Sequence, residues 1–121
     1  MTTNVDNSKS QGYSVYSTNG GNNTQDKVFL LSYAEAWKYF KDASARMCAP
    51  TEYAVKQGAE TSNSYKVDGK ATCYWWLRSP GYYQGAAIFV LGVGSRGYDD
   101  ANYSGRAVRP ALWVNLESGI F

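Results

Sequence analysis

Four tyrosines lie between residues 81 and 106. They are the side chains in this sequence best suited to a function, and that function is non-covalent binding. Tyrosine presents a large, stiff contact area with a polar hydroxyl and loses little rotamer freedom when it is fixed. Six glycines in the same stretch allow tight turns. The segment therefore predicts a recognition surface, most suitable for a protein ligand, formed by Tyr82, Tyr83, Phe89, Leu91, Ser95, Arg96, Tyr98, Asp99, Asp100, Asn102, Tyr103 and Ser104.

The rest of the chain offers no set of catalytic groups. Histidine is absent, which removes Ser-His-Asp and Cys-His nucleophiles and imidazole metal ligands. The two cysteines, Cys48 and Cys73, lie 25 positions apart and are too few for a four-thiolate zinc site or a disulfide framework. They are either two buried thiols or one bridge. We expect no enzyme activity, no catalytic residue, no metal site and no cofactor.

Length and charge bound the organisation and the partners. With 121 residues, the chain is expected to be one domain, residues 1–121. Its 12 basic and 10 acidic residues are spread along the sequence, so we expect no nucleic-acid partner. No apolar stretch approaches the roughly 18 to 20 residues that cross a bilayer, so we expect no membrane insertion. The polar residues after Met1 resemble the interior of a longer protein, which favours an excised domain.

The elements that would position the segment begin with a loop and a strand. Residues 1–26 are predicted to be mostly loop with an edge strand at 13–16. Residues 28–31 are predicted to form a buried strand. Ser32 and Glu35 have the spacing of a capping box, and a helix follows. Its apolar stripe predicts helix through position 47 with Arg46 facing solvent. The stripe consists of Tyr33, Trp37, Phe40, Ser44 and Met47.

The second half of the chain alternates strands and turns. Residues 51–57 predict a short helix capped by Thr51 and ended by Gly58, and residues 59–70 an exposed loop. Strands are predicted at 73–78, at 86–93 and, as a closing strand within 107–121, at 107–116. Both faces of 86–93 are apolar, so its orientation stays open. Arg78 and Arg109 are expected to donate to backbone carbonyls or to a carboxylate such as Glu35 or Asp26.

Four blocks of sequence resemble a known family. They are V-F-L-L-S at 28–32, C-A-P-T-E-Y-A at 48–54, W-W-L-R-S-P-G at 75–81 and V-R-P-A-L-W at 108–113. Together they resemble a bacterial domain family of unknown function, in which the last two blocks frame a divergent segment. That family is similar to the C-type-lectin-like proteins that include the variable proteins of diversity-generating retroelements and, distantly, formylglycine-generating enzymes.

The resemblance implies an α+β domain with a C-type-lectin-like fold. Two helices would pack on a small, mostly antiparallel sheet with a long irregular loop region, and residues 81–106 would form a variable face. It also implies a bacterial cell surface or a phage particle as the location. It implies no reaction.

The composition of residues 81–106 tests the retroelement comparison. Adenine replacement in codons that end in a pyrimidine cannot encode Lys, Gln, Glu, Met or Trp. Only Gln84 among the 26 residues of 81–106 belongs to that set, against 14 of the 50 residues of 27–76. The contrast favours diversification, with Gln84 an unmutated position.

Three alternatives stay open. A fixed structural or adhesive module of a larger surface protein could carry the same segment. A carbohydrate-binding lectin would need E-P-N or Q-P-D and W-N-D motifs, which are missing, although Asp99, Asp100 and Asn102 carry oxygen ligands suited to calcium. An enzyme of the formylglycine-generating type would need a closely placed copper-binding cysteine pair, which Cys48 and Cys73 do not match.

Overall fold

The computed structural model of the chain describes residues 2–116, which form three small antiparallel sheets and three short helices. The strands are β1 (Thr3–Val5), β2 (Thr24–Asp26), β3 (Thr61–Val67), β4 (Lys70–Cys73), β5 (Trp75–Pro80), β6 (Ala86–Val90) and β7 (Arg96–Asp100). The helices are α1 (Tyr33–Tyr39), α2 (Ala43–Arg46) and α3 (Glu52–Lys56), with one 3-10 turn at Lys9–Gln11. β1 pairs with β2, β3 pairs with β4, and β5, β6 and β7 form a central sheet in that order.

The core lies on one face of the central sheet. Trp75 stands opposite Val90 across β5 and β6, and both side chains are buried with Leu77, Ile88 and, from α1, Ala36. Side chains alternate between the two faces of a strand, so one face of β6 packs into this core and the other does not. Burial of these large apolar groups supplies most of the driving force that holds the sheet in place.

The predicted fold class is wrong in its arrangement. We expected a C-type-lectin-like fold with two helices packed on one small sheet and a long irregular loop region. The structure has three separate antiparallel sheets instead, and its helices have seven, four and five residues. Helices this short cannot form a layer of their own. The chain is α+β only in the coarse sense that it contains both kinds of element.

The predicted helix over 32–47 is two helices. Phe40 leaves helical geometry at φ −113° and ψ 88°. Asp42 then restarts a helix, because its side chain accepts a hydrogen bond from Ala45 N at 2.9 Å. Aspartate satisfies backbone N–H groups better at a helix start than in a helix interior, so a local cap overrides the apolar stripe.

Arg46 was expected to face solvent and is buried instead. Its Nε donates to Gly94 O at 2.7 Å, and its Nη1 donates to Phe40 O at 2.7 Å. Its guanidinium also lies 4.0 Å from the centre of the Trp37 ring. The break in the helix turns this residue inward, where it ties the turn after β6 to the helical segment.

The predicted caps are confirmed. Ser32 and Glu35 form the capping box, with Glu35 N donating to Ser32 Oγ at 3.0 Å and Ser32 N donating to Glu35 Oε1 at 2.9 Å. Thr51 Oγ1 accepts from Ala54 N at 3.1 Å at the start of α3. Gly58 follows α3 with φ +102°, the left-handed conformation that glycine adopts most easily after a helix.

The predicted closing strand is wrong over 107–116. Ala107 makes one parallel bridge to Trp75, and the ladder does not continue because the next donor along β5, Arg78 N, donates to Leu31 O at 2.9 Å instead. The rest of that prediction, residues 117–121, lies outside the described residues. Five apolar side chains of the segment are exposed, namely Val108, Leu112, Trp113, Val114 and Leu116.

The strands predicted at 28–31 and 13–16 are also wrong. Phe29 makes a single bridge to Ala111, with Phe29 N donating to Ala111 O at 2.9 Å, and Val28 is exposed. Residues 13–16 form a turn closed by a hydrogen bond from N to O at 2.9 Å. The N-terminal strands are instead β1 and β2.

Residues 59–70, expected to be a loop, contain β3 and the start of β4. The two strands meet at Asp68 and Gly69, whose φ values are +51° and +79°. Positive φ at both central residues is the signature of the two-residue hairpin turn that Asp-Gly favours. The turn signal is therefore present in the sequence, although strongly polar residues surround it.

Arg78 behaves as predicted. Its guanidinium is ion-paired with Glu35 and also donates to Leu30 O at 2.9 Å, to Asp6 O at 2.9 Å and to Asn7 Oδ1 at 3.1 Å. One side chain thereby ties the end of β5 to the capping box and to the N-terminal loop.

The prediction that Arg109 donates to a carbonyl or a carboxylate is wrong for its Nη1 atom. Its guanidinium lies over the rings of Phe40 and Trp75, at 4.8 Å and 4.9 Å from their centres. Nη1 is buried and has no hydrogen-bond partner within residues 2–116.

No helix in the described part of the chain has the length and apolar character needed to cross a membrane.

Candidate functional site

The segment predicted to be an irregular recognition loop contains two strands of the central sheet. β6 (Ala86–Val90) runs through the core, and Phe89, predicted to be part of the binding surface, is only 5% exposed. Leu91 is half-buried in the turn that follows, where its N donates to Ser95 O at 2.8 Å. These two apolar residues therefore support the site from beneath and do not form its surface.

β7 divides the remaining predicted residues between two faces. Tyr98 stands opposite Ile88, and Asp99 stands opposite Ala87. Residues directly opposite each other in an antiparallel pair share a face, and successive residues alternate. Tyr98 therefore lies on the core face, past the packed centre, whereas Asp99 lies with Phe89 on the other face. The twelve predicted residues do not form one surface.

Tyr98 is the centre of an aromatic cluster that we call the tyrosine patch, made of Tyr16, Tyr82, Tyr83 and Tyr98. Ring centres of Tyr82 and Tyr98 are 6.2 Å apart in a stacked arrangement, and Tyr83 meets Tyr98 edge-on at 6.1 Å. Tyr16 contacts Tyr98 at 5.5 Å and Tyr82 at 6.0 Å. Tyr82, Tyr83 and Tyr98 are 65%, 45% and 43% exposed, so solvent reaches an assembled aromatic surface.

Arg96 holds the tyrosine patch from below. Its guanidinium lies 3.7 Å from the centre of the Tyr13 ring, and its Nη1 donates to the Tyr16 hydroxyl at 3.0 Å. Tyr13 in turn contacts Tyr33 of α1 at 5.4 Å. Arg96 was predicted to contact the ligand, whereas Tyr13 and Tyr16 were not among the predicted site residues, because the turn at 13–16 is distant in sequence from β7.

A hydrogen bond orients a phenol at the rim of the tyrosine patch. The Tyr83 hydroxyl donates to the Asp100 carboxylate. This bond, with the nearby negative charge, raises the pKa of Tyr83 to about 12. Tyr83 is neutral at physiological pH with or without this shift, and the hydrogen bond to Asp100 sets its ring orientation.

The other face carries a second group, the arginine cluster, made of Glu60, Asp99, Tyr103 and Arg106. The Arg106 guanidinium pairs with Asp99 at 3.1 Å and with Glu60 at 3.8 Å. It also lies 4.2 Å from the ring centre of Phe89 and 4.4 Å from that of Tyr103. Arg106 thus covers the apolar side of β6, which explains why Phe89 is buried.

Tyr103 is held in the arginine cluster by a hydrogen bond. Its hydroxyl donates to the Glu60 carboxylate, and this hydrogen bond raises the pKa of Tyr103. Glu60 N also donates to Gly105 O at 2.9 Å, so main chain and side chain both connect this loop to the start of β3. Neither Glu60 nor Arg106 was among the predicted residues.

Comparison with known proteins gives one match. The family described as Domain of unknown function (DUF6273) matches residues 1–116. The chain belongs to this family. A search of the curated proteins and a search of the solved structures each gave no match.

Membership in the DUF6273 family confirms the coarser part of the sequence resemblance. The family description states no activity, so function has to be inferred from the site itself.

Gly81, the last residue of the W-W-L-R-S-P-G block, makes the tyrosine patch sterically feasible. A Cβ atom at this position would lie 2.8 Å from Ala86 Cβ and 2.9 Å from Tyr98 Cβ, closer than carbon atoms pack. Its backbone is held by Gly81 N donating to Ala86 O at 2.8 Å and by Thr18 Oγ1 donating to Gly81 O at 2.8 Å. The block therefore places Tyr82 and Tyr83 against β7.

The last predicted residues, Ser95, Asn102 and Ser104, are exposed in turns on either side of β7. Asp99 and Asp100 do not converge on a calcium ligand set with Asn102, because Asp99 pairs with Arg106 and Asp100 accepts from Tyr83 on the opposite face. Within residues 2–116 no group of three or more acidic or cysteine side chains is placed to hold a metal ion.

Proposed function

We propose that the tyrosine patch binds a protein ligand. The observation that carries the proposal is that three neighbouring tyrosines are 43% to 65% exposed while their rings contact one another. Aromatic side chains gathered at the centre of a surface, with polar groups around them, are typical of the residues that dominate binding energy in protein interfaces.

Preorganisation supports this proposal. Tyr98 extends from a strand, Tyr82 follows the glycine turn, and Tyr83 is fixed by Asp100. Side chains already held in one arrangement lose little conformational entropy on binding, which leaves more of the contact energy as affinity. The hydroxyls of the exposed rings add hydrogen-bond donors that can pair with a partner's backbone.

Charge at the tyrosine patch favours a protein over a nucleic acid. Stacking of bases on tyrosine needs a positive groove for the phosphates. Here Arg96 is engaged with Tyr13 and Tyr16, and Asp100 places a carboxylate at the rim. The arginine cluster offers no replacement, since Arg106 is paired with two acidic side chains.

Selection of peptides on the folded domain tests the proposal. A phage-displayed random-peptide library is enriched on the wild-type domain, and the Kd of the selected peptides is measured for Tyr98→Ala and Tyr82→Ala. We expect a loss of about tenfold or more, since that corresponds to about 1.4 kcal/mol. Tyr53→Ala is the matched control, because Tyr53 is 72% exposed on α3 and belongs to neither cluster. Peptides that lose affinity equally with the control, or not at all with Tyr98→Ala, would contradict the proposal.

We also infer that residues 81–106 vary between copies of the domain, as in the variable proteins of diversity-generating retroelements. The near-absence of Lys, Gln, Glu, Met and Trp from this segment supports the inference. Burial of Gly81, Ile88 and Val90 limits the variation to exposed positions such as Tyr82 and Asn102. Sequencing the encoding locus tests it. A nearby reverse transcriptase and a near-copy differing only at adenines would support variation, and their absence would leave a fixed surface module.

A further inference from the structure

A second site lies away from both clusters, in a cavity of about 230 Å³ between the start of α3 and the segment 107–110. Cys48, Cys73, Trp75 and Arg109 line its inner wall. Its rim includes the exposed residues Thr51, Val108 and Pro110. A small molecule entering from the rim would therefore meet two thiols and a guanidinium.

Backbone pairing brings the two cysteines together. Cys73 N donates to Cys48 O at 2.8 Å. Both side chains line the same cavity, and the two thiols lie within hydrogen-bonding reach of each other, the proximity that a disulfide requires. Both thiols are free, Cys73 is buried and Cys48 is half-buried. Cys48 is the thiol that an incoming molecule can reach.

Arg109 supplies positive charge to this cavity. Its Nη1 is buried and has no hydrogen-bond partner among the described residues, an arrangement that costs free energy unless an acceptor approaches. A hydrogen bond from the Cys73 thiol, together with the Arg109 charge, lowers the pKa of Cys48 to about 6. The same hydrogen bond, with burial, raises the pKa of Cys73. Cys48 is therefore the member of the pair that forms the thiolate more readily, and the thiolate is the nucleophile in exchange.

We propose that Cys48 and Cys73 form a reversible dithiol–disulfide pair that reacts with low-molecular-weight disulfides carrying carboxylates, with Cys48 the attacking residue and Cys73 the resolving one. In the first step the Cys48 sulfur bonds to one sulfur of the small disulfide. The S–S bond of that molecule breaks, and its other half leaves as a thiolate that takes a proton from solvent.

In the second step Cys73 gives its proton to solvent and its sulfur bonds to the Cys48 sulfur. The mixed disulfide breaks and the second small thiol leaves. Two protein thiols are oxidised by two electrons, and one small disulfide is reduced to two thiols. During the first step Arg109 Nη1 is placed to donate a hydrogen bond to a carboxylate of the bound molecule, which supplies its missing acceptor.

Oxidised glutathione is a suitable probe, because it is a small disulfide with carboxylates. We expect the wild-type domain to lose two hydrogens in intact mass and to retain no adduct. Cys73→Ser should accumulate one glutathione on Cys48, because nothing resolves the mixed disulfide. Cys48→Ser should react at least tenfold more slowly. Arg109→Lys keeps the charge but loses the planar fork, so adduct formation in the Cys73→Ser background should slow.

Two controls keep the test decisive. The same proteins unfolded in denaturant must react at equal rates at both cysteines, which shows that differences in the folded domain come from the site. Reaction of wild type should increase with pH through about 6, where the Cys48 thiol ionises. Two reduced thiols after long exposure of folded wild type, or equal trapping on Cys73 in Cys48→Ser, would overturn the proposal.

Discussion

The tyrosine patch and the arginine cluster flank the same strand and use the same residue types in opposite ways. In the tyrosine patch Arg96 lies underneath and the aromatic rings are exposed. In the arginine cluster Arg106 lies on top, and the aromatic ring of Phe89 is covered. The difference teaches that composition alone does not identify a binding surface. The order of the layers does, because only an uncovered aromatic group has apolar area left to bury on a partner.

The largest effect is expected where the two regions share support. Ile88 is fully buried in β6 and lies opposite Tyr98. Ile88→Ala should lower the free energy of unfolding by about 3 kcal/mol, through lost burial and a cavity. Urea unfolding measures it, with Val28→Ala as the control, since Val28 is exposed and should cost less than about 0.5 kcal/mol. If Ile88→Ala weakened peptide binding without changing the free energy of unfolding, the prediction that the core and the tyrosine patch share this support would be contradicted.

The Arg78–Glu35 pair gives a reference for the other two arginines. Burial raises the pKa of Glu35, but hydrogen bonds from Arg78 and from the Ser32 backbone outweigh it, so the pKa is lowered below 4.5. The resulting stability is fully present above pH 4.5 and is lost as the pH falls through the lowered value.

Glu35→Gln removes that contribution. We expect about 2 kcal/mol less stability at neutral pH, in line with a hydrogen bond to a charged group, and a smaller difference from wild type in acid. Urea unfolding between about pH 7 and about pH 3 measures both. An unchanged difference across that range would show that the carboxylate charge is not what stabilises the capping box.

Arg106→Ala should have a smaller effect on stability than the loss of the Glu35 carboxylate. The side chains of its partners Glu60 and Asp99 are 46% and 36% exposed, against 20% for Glu35, so water screens the pairs. We expect a loss of about 1 kcal/mol, mostly from uncovering Phe89. Arg106→Lys keeps the charge and should recover only part of it. Equal stability of Arg106→Ala and wild type would mean that Phe89 is covered by other groups.

The smallest effect is expected on the ionisation of one hydrogen-bonded phenol in each region, Tyr83 and Tyr103. Tyr83 should titrate with a pKa of about 12 because of Asp100, and the pKa of Tyr103 is raised by its hydrogen bond to Glu60. Asp100→Asn should bring the pKa of Tyr83 back towards 10.0 and leave Tyr103 unchanged. Ring chemical shifts of the individually assigned tyrosines against pH measure this, with Asp68→Asn as a control acid on the β3–β4 turn. A shift at Tyr103 would show that the two regions are electrostatically connected.

Local signals in the sequence were sufficient for some of the fold. The capping box at Ser32 and the cap at Thr51 depend on residues three positions apart, and both are confirmed. The prediction of one helix through position 47 was wrong because the cap at Asp42 is as local a signal as the apolar stripe and interrupts it. The prediction of a loop at 59–70 was wrong for a similar reason, since the Asp68–Gly69 turn signal lies between polar strands that bury little.

Much of the candidate site depended on pairing that no local pattern shows. Tyr98 and Asp99 are neighbours in sequence, but the register with β6 sends them to different faces. Tyr16 reaches Tyr98 from far along the chain. The sequence therefore predicted that the aromatic segment contains a candidate binding site. Its division into an exposed patch and a covered cluster could be seen only from the register of β6 and β7.

The parallel bridge of Ala107 with Trp75 has a consequence for synthesis of the chain. Trp76 N donates to Ala107 O at 3.0 Å, and Ala107 N donates to Tyr74 O, so the outer side of β5 is covered by residues that are translated after all three strands of the central sheet. Until those residues leave the ribosome, β5 presents unpaired backbone groups that another chain can join. The nascent domain is therefore most prone to aggregate in the interval between the synthesis of β5 and the docking of Ala107 against it.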